Sequence, residues 1–174
     1  MPHSNAVQTL LQDSFQRVRE LVVEVTSGLA EETSTYRPDE QANSIGWLVW
    51  HASRVQDDHV AGVAEVDQVW PRWRDRFGLP FDDFETGYSQ SPSEVGAVRV
   101  SAELLSGYHA DVHALTERFL ESLSESDLER VVDRRWDPPV TVGVRLVSVL
   151  GDCLQHLGQA AYVRGLAQRA LRSA

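Results

Sequence analysis

Between Val142 and Leu166, apolar side chains stand at Val142, Val144, Leu146, Val147, Val149, Leu150, Leu154, Leu157, Ala160, Ala161, Val163 and Leu166. As a helix this run is apolar round most of its circumference and has to be covered on several sides by other helices. The spacing predicts a helical bundle with this element as its most buried member, capped at its start by Thr141. One polar stripe interrupts the run: Arg145, Ser148, Asp152, Gln155, His156 and Gln159. Either the stripe is the solvated edge of the bundle or it lines a pocket. Within it, Asp152 and His156 are four residues apart. That spacing puts a carboxylate and an imidazole on one helix face about one turn apart, where they can share a ligand.

The remaining chain supplies the covering helices. From about Asn5 to Leu29, apolar residues at Val7, Leu10, Leu11, Phe15, Val18, Leu21, Val22, Val25 and Leu29 recur at helical spacing. Tyr36 to Glu40 is extended, because Pro38 pushes the residue before it away from helical angles. A second helix starts at a capping Asn43 or Ser44 and runs to about Val66, with its apolar arc on Ile45, Leu48, Ala52, Val55, Val63 and Val66. Asp67 to Gln90 loses the period and reads as a long connection without regular structure, covering one end of the bundle with Trp and Phe. Ser91-Pro92-Ser93-Glu94 opens a third helix that runs to Leu123. Pro138 and Pro139 then force a bend or short extended pair between Val131 and Val140. The expected class is all-α: a four-helix bundle with a long connection, and room for one crossover, between helices 2 and 3.

At 174 residues the chain suits a single domain, 1–174, able to bury a core without a disulfide or metal staple. Cys153 is the one cysteine, so no internal disulfide forms, and no secretory leader is visible. No stretch approaches the roughly 20 apolar residues of a membrane span, and the expected location is the cytoplasm. A formal charge of −10 argues against nonspecific nucleic-acid binding.

Two ligands four apart do not hold a metal, so a third must come from another helix. At 100° per residue His51 falls inside the apolar arc of the second helix, beside Leu48 and Val55. A core histidine satisfied by one hydrogen bond is the plain reading. Ligation together with Asp152 and His156 is the functional one, since two His and one carboxylate suit a divalent metal. His59, two turns further on, is more simply structural. A rival pair, His109 and His113, has the same spacing on the third helix, but His109 sits at the margin of the apolar arc and His113 well outside it, so both are expected to be solvated. Arg54, one turn from His51, could orient a carboxylate of a substrate or thiol, or pair with a surface acid.

The stretches Asn43-Ser44-Ile45-Gly46-Trp47-Leu48-Val49-Trp50-His51, Arg54-Val55-Gln56-Asp57-Asp58-His59 and Asp152-Cys153-Leu154-Gln155-His156-Leu157-Gly158-Gln159-Ala160 resemble the DinB-like superfamily, over essentially the whole chain. That superfamily includes mycothiol-dependent maleylpyruvate isomerases and mycothiol and bacillithiol S-transferases. The resemblance implies a four-helix bundle with a long connection after the second helix. It also implies a divalent metal, commonly zinc, held by one His of the second helix and an acid/His or His/His pair four apart on the last. Those positions match His51, Asp152 and His156. The acid in the isomerase pattern is Glu, so Asp152 has a shorter reach and could act through water, with Gln155 or Gln159 nearby.

Three protein ligands leave an open position that a water or a thiol can enter and lose its proton. The expected function is a thiol-dependent S-transferase or isomerase acting on a small-molecule substrate, with no residue assigned as catalytic. A metal-dependent hydrolase with Asp58 or His59 moving protons is the alternative, and a non-enzymatic, stress-related bundle a third. Zn²⁺ is the expected metal, with Ni²⁺ and Fe²⁺ as substitutes for the same donors. A membrane or nucleic-acid partner is not expected, and a homodimer is left open.

Overall fold

The computed structural model describes residues 6–172, so the expected helix start at Asn5 lies outside the described residues. Four long helices dominate: α1 (Ala6–Thr26), α3 (Ile45–Ala64), α6 (Ala102–Ser122) and α7 (Val142–Ala170). Short helices α2 (Glu31–Ser34), α4 (Arg74–Phe77) and α5 (Pro92–Ala97) lie in the connections. Strands β1 (Val131–Asp133) and β2 (Val140–Thr141) form a small antiparallel pair before α7. Packing of α3 on α7 and α6, and of α1 on α6 and α7, closes the long helices into a ring, with α1 opposite α3. No helix among the described residues is long and apolar enough to cross a membrane.

The starts follow local chemistry. Ser44, Ser101 and Thr141 each accept a hydrogen bond from the backbone N–H three residues on, capping α3, α6 and α7. α1 buries Leu11, Phe15, Val18, Val22 and Val25, the three-and-four spacing of an amphipathic helix.

Three expectations need correction. α3, not α7, is the most buried element; Ile45 through Arg54 are buried without a break. In α7 the apolar run is wider than the face its neighbours cover, which leaves Val144, Val147, Leu154 and Tyr162 exposed. The third helix is two, because Ser101 caps a new start and Val98 and Val100 turn into the core between α5 and α6. The long connection also contains helical turns: a 3₁₀ turn at Trp70–Arg72, followed by α4.

Those turns are fixed from beneath by polar groups of α3. Asp57, fully buried, accepts from the N–H groups of Val69 and Trp70, both at 2.8 Å, and from the Tyr108 hydroxyl at 2.7 Å. Arg54, also fully buried, lies 3.6 Å from Asp57 and donates to Tyr108 Oη (3.2 Å), Gln68 Oε1 (2.9 Å), and the carbonyls of Glu85 (3.0 Å) and Asp83 (3.4 Å). Trp73 donates from its indole to Asp111 on α6 and lies so close to Gly107 that a Cβ there would come within 2.6 Å of it. The arginine expected to meet a substrate carboxylate therefore pairs with an acid, in the interior and not at the surface. Removing one partner of a buried ion pair leaves the other charge uncompensated, at a cost of about 3–5 kcal/mol. Asp57→Ala should lower the free energy of unfolding by about that amount, measured by denaturant titration.

Candidate metal centre

His51 on α3 and Asp152 and His156 on α7 meet at the interface of these two helices, with their ligand atoms all within 4.8 Å of one another. Among the described residues this is the one such cluster of three His, Cys, Asp or Glu side chains. The two imidazole rings lie 4.5 Å apart between centroids. Asp152 Oδ2 is 3.8 Å from His51 Nε2 and 3.3 Å from His156 Nδ1.

Each imidazole is held by a backbone carbonyl, which can only accept. His51 Nδ1 is 2.5 Å from Thr86 O, and His156 Nδ1 is 2.8 Å from Asp152 O. Both Nδ1 atoms therefore carry the proton, and the lone pair of each neutral ring is on Nε2. Burial is the main cause lowering the pKa of His51, which keeps it neutral and available as a donor. The pKa of His156 is raised, chiefly by its hydrogen bond to Asp152. Burial works to raise Asp152, but the hydrogen bond and charge of His156, with His51 and His59 behind, bring it below its ordinary value.

This donor set fits a cation. Asp152 Oδ2 is buried, is approached by His156 Nδ1 only at a long 3.3 Å, and faces an Nε2 lone pair of His51 at 3.8 Å. Two electron-rich atoms opposed in a buried site are stabilised by a positive charge between them.

The connection after α3 completes the site. Trp47, one turn before His51, stacks on its ring at 4.7 Å and 10°, and donates from Nε1 to Gln90 Oε1 at 2.7 Å. Gly87 has φ +98°, and a Cβ there would stand 2.8 Å from His51 Nδ1 and 3.1 Å from both Trp47 and Trp50. Thr86 and Gly87 were not among the sequence candidates; the signal was the lone glycine between Phe81 and Gln90. The other candidates are placed elsewhere. His59 borders the same cavity as His51, with Nδ1 3.3 Å from Asp58 Oδ2. His109 and His113 are not solvated: His109 is fully buried against Gln56 of α3, its pKa pushed down to about 3 mainly by burial, and His113 is largely covered. Because α6 packs on both α1 and α3, its buried sector is wider than its apolar arc. The buried Cys153 thiol is not one of the clustered ligands; it donates to Ala52 O at 3.5 Å, and burial raises its pKa strongly.

The family model described as mycothiol-S-transferase matches residues 10–168. A solved structure from Enterococcus faecalis, described as a conserved protein of locus, superposes with a TM-score of 0.86 at 33% sequence identity, covering 92% of this chain and 96% of that one. No curated protein matches the sequence.

A side chain at Gly87 would meet both an unfavourable backbone region and the His51 ring. Gly87→Ala should lower stability by about 1–3 kcal/mol in denaturant unfolding. Gly62→Ala on α3, where an added Cβ meets nothing, should instead raise it by up to about 1 kcal/mol through helix propensity.

Proposed function

The chain belongs to the mycothiol-S-transferase family, and from that premise we propose that His51, Asp152 and His156 hold a divalent metal, most simply Zn²⁺, at which a low-molecular-weight thiol is activated for transfer to an electrophilic small molecule. The observation that carries this reading is the gathering of His51, Asp152 and His156 with their ligand atoms within 4.8 Å of one another, the buried Asp152 Oδ2 facing the His51 lone pair. Two imidazole nitrogens and one carboxylate suit zinc and leave room for an outside ligand. When bound, the metal would supply the positive charge that favours the thiolate over the thiol at neutral pH.

The chain's own residues set up that chemistry. Thr86 O orients His51 and fixes its tautomer, and the Asp152 carbonyl does the same for His156. Trp47 covers one face of His51 and, with Gly87, excludes water from that side. A cavity of about 320 Å³ between His51, His59, Thr86, Tyr88, Ser148 and Asp152 opens on the remaining side and would admit the thiol and the electrophile. The sulfur lone pair forms the new bond to the electrophilic carbon as the carbon's bond to its leaving group breaks and that group departs with the electron pair, and the thiol proton leaves to solvent or to a basic side chain. Arg54, turned into the core, takes no part in binding on this reading. The reaction belongs in the cytoplasm, where free thiols stay reduced.

Metal-to-protein ratio after dialysis tests the ligand set. His51→Ala and His156→Ala should lose nearly all metal, since each removes a nitrogen donor. Asp152→Asn should bind weakly, because an amide is a poor zinc ligand and the site loses its negative charge. Asp152→Glu should retain metal, and so should the His109→Ala/His113→Ala double variant. A chelator should abolish thiol-dependent turnover, with zinc restoring it. Metal retained at the parent ratio in His51→Ala, His156→Ala and Asp152→Asn alike would place the ligands elsewhere.

A further inference from the structure

A cavity of about 860 Å³ stands apart from the metal centre, walled by α6 and by the connection after α3. No residue of α7 lines it, and neither does His51. Val66, Pro71, Phe84, Leu115 and Phe119 give it an apolar body. Phe84, which is 87% exposed, and Val66, also exposed, leave bare apolar surface on its walls. A bare phenyl ring that joins a concave apolar wall of this size marks a place where a small molecule can be covered.

The charges on the walls say what kind of molecule. Of the four charged residues there, Asp83 is paired with Arg74. The side chains of Arg72 on the 3₁₀ turn, Arg118 on α6 and Asp67 have no ion-pair or hydrogen-bonding partner among the described residues. Two free guanidiniums against one free carboxylate leave the cavity positive, in a chain whose net charge is −10. A cavity of similar size between α1 and α7, about 880 Å³, gives the contrast. Its Arg164 is bonded to the carbonyls of Glu24, Val25 and Ser27, and its Arg19 to that of Ser106. Open guanidinium forks beside an apolar wall suit one carboxylate on an apolar body. An ammonium would be repelled, and a neutral molecule would leave both forks to water.

Two lining residues also reach the buried pair beneath. Gln68 accepts from Arg54 Nη1 at 2.9 Å and donates to Asp58 at 2.8 Å, and the Asp83 carbonyl accepts from Arg54 Nη2 at 3.4 Å. The same guanidinium donates to Glu85 O, one residue before the Thr86 carbonyl that orients His51. A ligand that holds Gln68 and Asp83 still also steadies the chain from 83 to 86. Part of the ordering that His51 needs before it can hold a metal is then already complete.

We infer that this cavity is a binding site for an apolar monocarboxylate, held by Arg72 and Arg118 and covered by Phe84 and Phe119, and that its occupancy is felt at His51 through Arg54. The coupling rests on the metal reading of His51, Asp152 and His156; the site does not.

The test is isothermal titration calorimetry of the full-length, zinc-loaded protein with phenylbutyrate, and with phenylbutanol and phenylbutylamine as its neutral and cationic counterparts. The parent should bind the acid at least about tenfold more tightly than the alcohol, the worth of one charge-assisted hydrogen bond, and the amine more weakly still. Arg72→Gln and Arg118→Gln, both at exposed positions, should each remove most of that preference while leaving the affinity for the alcohol unchanged. Zinc affinity, measured by competition with a chromophoric chelator, should rise about fivefold at saturating phenylbutyrate, and Arg118→Gln should abolish the rise. Equal affinity for acid and alcohol in the parent, or a preference that survives in both arginine variants, would overturn the site. Zinc affinity that does not move, or that moves equally in Arg118→Gln because the carboxylate meets the metal directly, would overturn the coupling and leave the site standing. A parent that binds no zinc would remove the metal reading and the coupling together, and the comparison of acid with alcohol would still decide the site.

Discussion

The functional end of the molecule depends on two charges buried in the middle of α3. Arg54 and Asp57 are one turn apart and neither is reached by solvent. Such a pair gains little over an apolar core unless its remaining donors and acceptors are used. Here they are used to hold backbone that has no sheet or long helix of its own. Asp57 satisfies the first N–H groups of the Trp70 turn, and Arg54 holds the carbonyls of Asp83 and Glu85. One residue further on is Thr86, whose carbonyl sets the His51 ring. The buried pair thus acts on the centre at one remove: it fixes the strand of chain that fixes the ligand.

How much of this could be read from the sequence divides along the same line. The four long helices and their caps at Ser44 and Thr141 follow from period and spacing, which are local properties, whereas grouping His51 with Asp152 and His156 took the inward face of His51 and the family resemblance as well. What escaped was set by tertiary context. Ser101 restarts a helix because Val98 and Val100 find places in the core, and no periodicity announces that. His109 stands at the margin of its own helix's apolar arc yet is buried, since two neighbouring helices meet there. Arg54 has the right spacing from His51 to look like a ligand-binding residue. Its real surroundings come from Gln68, Glu85 and Tyr108, fourteen to fifty-four positions away.

The polar stripe on α7 shows why neither of its two sequence readings sufficed. Periodicity treats it as one face, but its residues do not share one environment. Arg145, Ser148, Asp152 and His156 face the seam with α3, while Gln155 and Gln159 are exposed, Gln155 folding back on the Gly151 carbonyl. The stripe is a pocket wall over one part and a solvated edge over the other. Exposed apolar residues on the same helix, Val144, Val147 and Leu154, lie outside both.

An aspartate at position 152, where the related isomerase pattern has the longer glutamate, raises the question of reach. Its Oδ2 nonetheless comes within 3.8 Å of His51 Nε2 and 3.3 Å of His156 Nδ1. The neighbouring contact explains how. Ala52, directly after His51, and Cys153, directly after Asp152, are both small and buried, and the Cys153 thiol rests 3.5 Å from the Ala52 carbonyl. Small side chains at a helix crossing let the backbones come close, since interaxial distance is set by what stands at the contact. On a closely approaching helix a carboxylate reaches the imidazoles without the extra methylene of a glutamate. The length of the acid and the size of the residues beside it are therefore one choice, made at the crossing of α3 and α7.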